Sequence, residues 1–333
     1  MYWLKQTGIA ILCCASLFGL GGCGATQKQA TEAPDSGYPV TWTNTIDGQE
    51  VQGSVDKSPT RAISMSQATT EMMLTLDLGD KMAGTAMKEE EIYPPLQEAY
   101  QKVKVLSDKW PSYEVFMAEK PDFTTGWGVD FTKRGIPADK ITSQGVPIFV
   151  PQSMIKLDAD LNTLFDDMLM YGRIFNVEDR AQAWVDGQKK ELAAVQDKIS
   201  NLPHKRVFVY DTSDGQPFTV FKGYTTNILK LIGADNVMES ANVDKTWATT
   251  SWESIIAADP DYIIVTDYSN GFRNDGDFQK KVASFKNNPQ LQNVKAVKEN
   301  HFVRVKLSEI TPGVRTVEAL KRLAEEIHGV KLS

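Results

Sequence analysis

At 333 residues the chain is longer than one hydrophobic core usually fills, and at 41% hydrophobic and 24% charged residues it has the make-up of a folded globular protein, not a disordered one. Two domains of about 100–200 residues are the expectation. A formal charge of −7 argues against a nucleic-acid partner, because binding phosphate needs a basic face.

The N-terminus reads as a targeting segment. Lys5 is the only charge in the first 22 residues, and the run GIAILCCASLFGL that follows it is as long as a signal-peptide core but too short to span a bilayer. It ends in Leu20-Gly21-Gly22-Cys23. That looks like a bacterial lipobox, in which two small residues let the peptidase close on the backbone and the Cys thiol takes the lipid. The expectation is a lipoprotein signal peptide over 1–22, then lipidated Cys23 and a flexible tether over 23–38, polar and without periodicity. Two acyl chains on Cys23 would hold the protein at a membrane surface outside the cytoplasm, either at the outer face of the plasma membrane or in a periplasm. Cys13 and Cys14 leave with the leader and no Cys follows Cys23, so the mature domain has no disulfide, thiol nucleophile or Cys metal site.

PVTWTNTIDGQEVQG alternates on both sides of Asp47-Gly48, a hairpin signal. RAISMS is a short buried strand, Ser66 to Thr70 a turn and cap, and TEMMLTLDLG a helix stopped by Gly79. KMAGTA is another strand; the Tyr93-Pro94-Pro95 loop, a helix from Glu114, a strand in PDFTTGW and a strand in VPIFVP follow. Such strand–helix alternation predicts a parallel sheet covered by helices, an N-terminal α/β lobe over 39–155. Leu157, Leu161, Leu164, Met168 and Tyr171 fall at helical spacing until Gly172 interrupts. From Glu178 to Ile199 only Gly187 disturbs a helical composition. A helix of about 20 residues spans about 30 Å, enough to connect two lobes, so 156–200 is a linker region. After Pro203 the alternation restarts with KRVFVYD, NILKLIG, a helix from Glu253, DYIIVTDY, HFVRVK and the closing helix of TPGVRTVEALKRLAEEIHG, a C-terminal α/β lobe over 201–333. The two halves share a phrase: EVFMAEKPDF and ESIIAADPDY each open on Glu and end in Pro-Asp-aromatic.

In this order, PTRAISMSQATTEMMLTLDLGDKMAGTA, YPP, PSYEVFMAEKPDF, GVPIFV, KRVFVYD, TSWESIIAADPDYIIV and LQNVKAVKENHFVRV make the chain resemble the substrate-binding proteins of ABC importers, in the ferric siderophore, haem and cobalamin class. The resemblance covers roughly residues 59–328. It implies two α/β lobes joined by one long helix with the ligand cleft between them, and an acidic residue on each lobe that meets Arg residues of the permease. Glu114 and Glu253 occupy the matching motif positions; the resemblance makes them docking residues, although a first-turn acid is also favourable at any helix N-terminus. The implied partners are a permease dimer with its ATPase subunits and a small-molecule chelate.

In α/β sheets a ligand lies beyond the carboxyl ends of the strands. There the chain carries Tyr93, Trp110, Trp127, Phe131, Phe218, Trp247 and Tyr268, with Phe272 nearby. Aromatics in loops should cover something, a ligand or a lobe core. Flat aromatic walls suit a corrinoid, and Trp110, Trp127 and Trp247 stand where a cobalamin-binding member of the family also has tryptophans. A ferric catecholate would want several of Lys88, Lys109, Arg134, Lys222, Arg273 and Arg315 pointing inward. Arg315, after Thr311-Pro312-Gly313, is a candidate ligand contact and equally a candidate helix-start contact. Haem would want an axial Tyr, His or Met; His204, His301 and His328 look peripheral, and Met87 and Tyr93 stay open as axial candidates. The expected order is therefore corrinoid, ferric siderophore, haem, with no intrinsic cofactor and no bare metal ion. G-x-S-x-G, H-E-x-x-H and G-x-x-x-x-G-K-[ST] are all absent, and Asp122 and Asp261 read as turn residues, so an enzyme is not expected. A lipid-anchored enzyme or sensor on the same fold is the alternative of a different class.

Overall fold

Asp47 and Gly48 both take positive φ, 51° and 74°, as a two-residue hairpin turn requires, and across them strands Val40–Ile46 and Gln49–Val55 pair antiparallel. The computed structural model describes residues 37–268 and 278–332, leaving aside the side chains of Ser213 and Asp214. The signal peptide, Cys23, nearly all of the tether, Phe272 and Arg273 lie outside the described residues. The hairpin buries alternate residues, and this face caps a sheet edge. Trp42 Nε1 and Asn44 Nδ2 donate to the Ile148 carbonyl at 2.7 and 2.8 Å, while Asn44 Oδ1 accepts from Val150 N at 2.8 Å.

That edge belongs to the N-lobe sheet, whose order is Val105–Ser107, Met82–Ala86, Ala62–Ser64, Phe123–Thr125, Ile148–Phe149, every neighbour parallel. The C-lobe sheet runs Ala234–Asn236, Lys205–Tyr210, Tyr262–Thr266, Phe302–Val305, again parallel throughout. In each, the strand order reverses beside the lobe's first parallel strand, Ala62–Ser64 or Lys205–Tyr210, which opens a crevice at its carboxyl end. A second C-lobe sheet is antiparallel, in the order Trp247–Thr249, Gln216–Val220, Thr212–Asp214. It was not foreseen: residues read as loop between strand and helix pair as short strands, so Phe218 and Trp247 stand on a sheet.

The linker is two helices, Leu161–Phe175 and Glu178–Ile199. Gly172 does not interrupt the first. A Cβ there would lie 2.8 Å from Ala181 Cβ and 3.2 Å from Glu178 Cα, so glycine permits the close approach of the second helix. The break comes at Asn176, in the left-handed conformation that ends many helices. The second helix, about 33 Å long, buries Ala181 and Val185 near its start and Val195 and Ile199 near its end. Arg180 bonds the Leu76 carbonyl of the N lobe, and Gln196 the Leu231 carbonyl of the C lobe. One apolar core runs through both lobes along this helix, joining Phe123, Phe149 and Tyr171 to Val207, Ile264 and Leu320.

Candidate ligand-binding cleft

Segments from the carboxyl ends of both sheets converge on one cleft of about 400 Å³. The N lobe contributes Gln67 and Glu71 after Ala62–Ser64, Met87, Glu89 and Glu90 after Met82–Ala86, Trp110 after Val105–Ser107, and Trp127, Val129 and Asp130 after Phe123–Thr125. Met87 turns there through a left-handed conformation, φ 53°. The C lobe contributes Asp211, Tyr268, Leu307, Ser308, Thr311, Pro312 and Gly313, and Phe218 with Trp247 from the antiparallel sheet.

The N-lobe wall is organised by one carboxylate. Asp130 Oδ1 accepts from Trp110 Nε1 at 2.8 Å, and its Oδ2 accepts from the Trp127 backbone N–H at 2.7 Å. The clip is possible because two neighbours lack side chains: a Cβ on Gly126 would meet Asp130 Oδ2 at 2.4 Å, and one on Gly135 the Asp130 carbonyl at 2.1 Å. Asp130 is buried, and burial pushes its carboxyl up to about 7 although both hydrogen bonds pull it down. On the opposite wall Phe218 and Trp247 sit on paired strands, diagonal across the register, with centroids 6.0 Å apart and planes inclined by 17°. Behind them the Tyr268 hydroxyl donates to Asp211 Oδ1, which also accepts from Thr266 Oγ1 at 2.8 Å; Lys281 Nζ stands 4.6 Å from the Tyr268 ring centroid.

The base of the cleft is an ion-paired bridge between lobes. Arg315 of the C lobe bonds Glu71 through Nε and Nη2 at 2.9 and 2.5 Å, Glu90 Oε1 through Nη1 at 3.0 Å, and the Glu91 carbonyl at 2.8 Å. Ser308 Oγ donates to Glu90 as well. Burial raises the Glu90 pKa, with Ser308 and Arg315 opposing. Gln67 locks the bridge, donating to Glu71 at 2.9 Å and accepting from the Glu89 and Glu90 amides.

Of the eight residues expected to touch ligand, the structure brings Trp110, Trp127, Phe218, Trp247 and Tyr268 together around the cleft. Three stand elsewhere. Phe131 is 1% exposed and packs with Ile63, Met65 and Phe116 in the N-lobe core, where a fully apolar ring is best satisfied. Tyr93 lies on the linker side, its hydroxyl donating to Glu318 and its ring 5.6 Å from the Arg315 guanidinium. Arg315 is 8% exposed and committed to Glu71 and Glu90, so it lies beneath the cleft lining.

Sequence reasoning missed Asp130, Glu71, Glu90 and Asp211; the one available signal was Asp130 three residues after Trp127 between two glycines. Of the cations considered, Arg134 lines the cleft at its exposed rim, while Lys222 pairs outside it with Asp244 at 2.9 Å. The histidines are remote: His204 pairs with Asp235, His301 stacks on Tyr262, and His328 bonds the Ile232 carbonyl. Among the described residues no group of His, Cys, Asp and Glu could hold a metal ion, and no helix is long and apolar enough to cross a membrane.

Glu114 and Glu253 are exposed, in the first turns of helices Tyr113–Ala118 and Trp252–Ala258. Both helices start alike, with Ser112 Oγ accepting from Val115 N and Ser251 Oγ from Ser254 N. The Glu114 pKa is lowered by its own backbone N–H and by Ser112. Asp122 and Asp261 accept from the backbone N–H groups of Arg61 and Arg206, so each ties down the start of its lobe's first parallel strand.

Residues 63–307 match the family described as periplasmic binding protein. YvrC of Bacillus subtilis, an ABC transporter substrate-binding lipoprotein, is 24% identical over 97% of this chain and 98% of its own. The vitamin B12-binding protein of Yersinia pestis is 26% identical over 62% of this chain and 69% of its own. A periplasmic binding protein from Veillonella parvula, solved by crystallography, superposes with a TM-score of 0.86 at 67% identity, covering 89% of this chain and all of that one.

Proposed function

The chain belongs to the periplasmic binding protein family, and on that premise we propose that it is the lipid-anchored, extracytoplasmic binding subunit of an ABC importer that captures a corrinoid. Delivery is to a permease dimer with its ATPase subunits. The observation that carries the ligand is the pair of facing aromatic walls, Trp110 and Trp127 from one lobe, Phe218 and Trp247 from the other, around a single cleft. Half-buried indole and phenyl faces of this kind match a flat, largely apolar macrocycle. The vitamin B12-binding relative supports the same choice. A ferric siderophore is the second reading, favoured by Arg134 at the rim, which offers one anion contact.

Glu114 and Glu253 are the proposed permease contacts: one exposed carboxylate per lobe, on equivalent helix starts, suits a two-fold membrane partner. Cys23 is the proposed lipid attachment, and YvrC, a lipoprotein by name, supports that reading.

The test is a tryptophan-fluorescence titration of the purified protein with cyanocobalamin, ferric hydroxamates and haemin, with inner-filter controls. One-to-one saturation by cyanocobalamin, weakened about tenfold or more in Trp247→Ala, is expected; each stacked aromatic face carries about 1.4 kcal/mol or more at a well-packed site. Saturation by a ferric hydroxamate alone would overturn the corrinoid. Slow turnover of any of these chelates would overturn the transport role. Exchanging both Glu114 and Glu253 for Arg should abolish uptake by cells and leave the titration unchanged.

A further inference from the structure

We propose that Asp130 is a positioning residue for ligand capture: its buried carboxyl sets the two N-lobe tryptophans against each other, so that this half of the cleft stands in its binding geometry before a ligand arrives. This rests on the chelate-binding reading above. Trp110 follows Val105–Ser107 and Trp127 follows Phe123–Thr125, and two other strands, Met82–Ala86 and Ala62–Ser64, lie between those two in the sheet. The sheet therefore does not pair the segments that carry the tryptophans. Asp130 ties them instead, one oxygen holding the Trp110 indole N–H and the other the Trp127 amide. Its own backbone is fixed on both sides: its N–H donates to the Trp127 carbonyl and its carbonyl accepts from Ile136 N, each at 2.9 Å. Trp110 packs against the N-lobe core, and both tryptophans stay half-buried, with ring surface left for the cleft.

The arrangement works against stability, which points to a use. A buried carboxyl costs free energy unless a cation offsets it. Among the described residues no cation pairs with Asp130, and the neighbouring charge that acts on it, Glu89, pushes its pKa further up. Both side-chain bonds that Asp130 makes go to tryptophans of the cleft. An indole free to change rotamer must be ordered when a ligand binds, and that ordering subtracts from affinity; an indole fixed in the free protein has already been ordered. The C-lobe wall is built otherwise. Phe218 and Trp247 stand on paired strands, and among the described residues no hydrogen bond holds the Trp247 indole, which makes it an internal control.

The experiment is NMR of the ligand-free purified protein, isotope-labelled at the tryptophan indole nitrogens, followed by calorimetric titration of the same proteins. The Trp110 and Trp247 indole signals are identified by their loss in Trp110→Phe and Trp247→Phe. The Trp110 N–H should exchange with solvent about tenfold or more slowly than that of Trp247. Asp130→Ala should bring it to the Trp247 rate, and Asp130→Asn, whose amide keeps one acceptor, should protect it in part. Of cyanocobalamin, ferrioxamine B and haemin, whichever binds the parent should bind Asp130→Ala about tenfold or more weakly, and Asp130→Asn with a smaller loss. Trp110→Phe keeps a ring but has no N–H to hold; it should weaken binding by itself and add little to Asp130→Ala. Melting curves show which variants fold, and if Asp130→Ala does not, Asp130→Asn and Trp110→Phe carry the test. If a chelate binds the parent and the folded Asp130 variants equally, positioning falls and the chelate reading stands. If no chelate binds, the chelate reading falls and the exchange rates decide: a Trp110 N–H as fast as that of Trp247 in the parent, or one still fully protected in a folded Asp130 variant, overturns the proposal.

Discussion

Replacing Arg315 by Met should cost the protein about 3–5 kcal/mol of stability at pH 8. The guanidinium is 8% exposed and makes three charge-assisted bonds to two carboxylates, Glu71 at 3% and Glu90 at 7% exposure. Methionine fills much of the volume of the apolar stem, so packing changes little. What is lost is the partner of two buried charges, and removing one side of such a pair costs about 3–5 kcal/mol because the other side stays desolvated. The Glu90 pKa is already raised by burial, so without Arg315 that carboxyl takes up a proton more readily and the loss should be smaller at pH 6 than at pH 8. Urea unfolding followed by tryptophan fluorescence reads the cost. The triple variant Arg315→Met, Glu71→Gln, Glu90→Gln removes the stranded charges and should recover most of it, a non-additivity expected of groups in one network. A loss below about 1 kcal/mol for the single variant, or a triple variant worse than the single, would refute the argument that these are desolvated paired charges.

Two other outcomes follow from the same coordinates. The buried Asp130 carboxyl sits at about 7 against 3.8 in an unfolded chain, so the folded form keeps a proton that the unfolded form has released. Its contribution to stability is full below about pH 4 and is lost as pH rises through 7, up to about 4 kcal/mol in all. Asparagine does not titrate, so Asp130→Asn should gain on the parent protein between pH 4 and 8 in thermal unfolding; a pH-independent difference would contradict the burial argument. Gly172→Val should destabilise by about 1–3 kcal/mol, since its Cβ must enter a space already held by Ala181 Cβ at 2.8 Å; an unchanged urea midpoint would mean that the two linker helices separate freely.

Much of the fold was legible because it is written locally. Asp47-Gly48 between alternating residues specifies a hairpin, and the composition of Glu178–Ile199 specifies a helix whose observed bounds are the ones read from it. The short apolar runs RAISMS, KRVFVYD and DYIIVTDY became central parallel strands, since runs buried on both faces need no alternation. Trp110, Trp127, Phe218, Trp247 and Tyr268, which line the cleft, were legible as candidates because large aromatics beyond the ends of strands must cover something. Phe131 fitted that rule equally well and seals the lobe core instead; only the side of the segment it faces separates the two cases.

The sequence by itself determined two α/β lobes, a helical connector and an aromatic-rich cleft, because hydrophobic periodicity, turn residues and strand polarity act over a few residues at a time. Only the tertiary structure decided that Arg315 is a bridge between lobes, that Tyr93 answers Glu318, and that Asp130 holds two tryptophans. The Arg315–Glu71 bond joins positions 244 residues apart. A buried charge is settled by whichever partner the fold carries to it, and no local pattern records that choice.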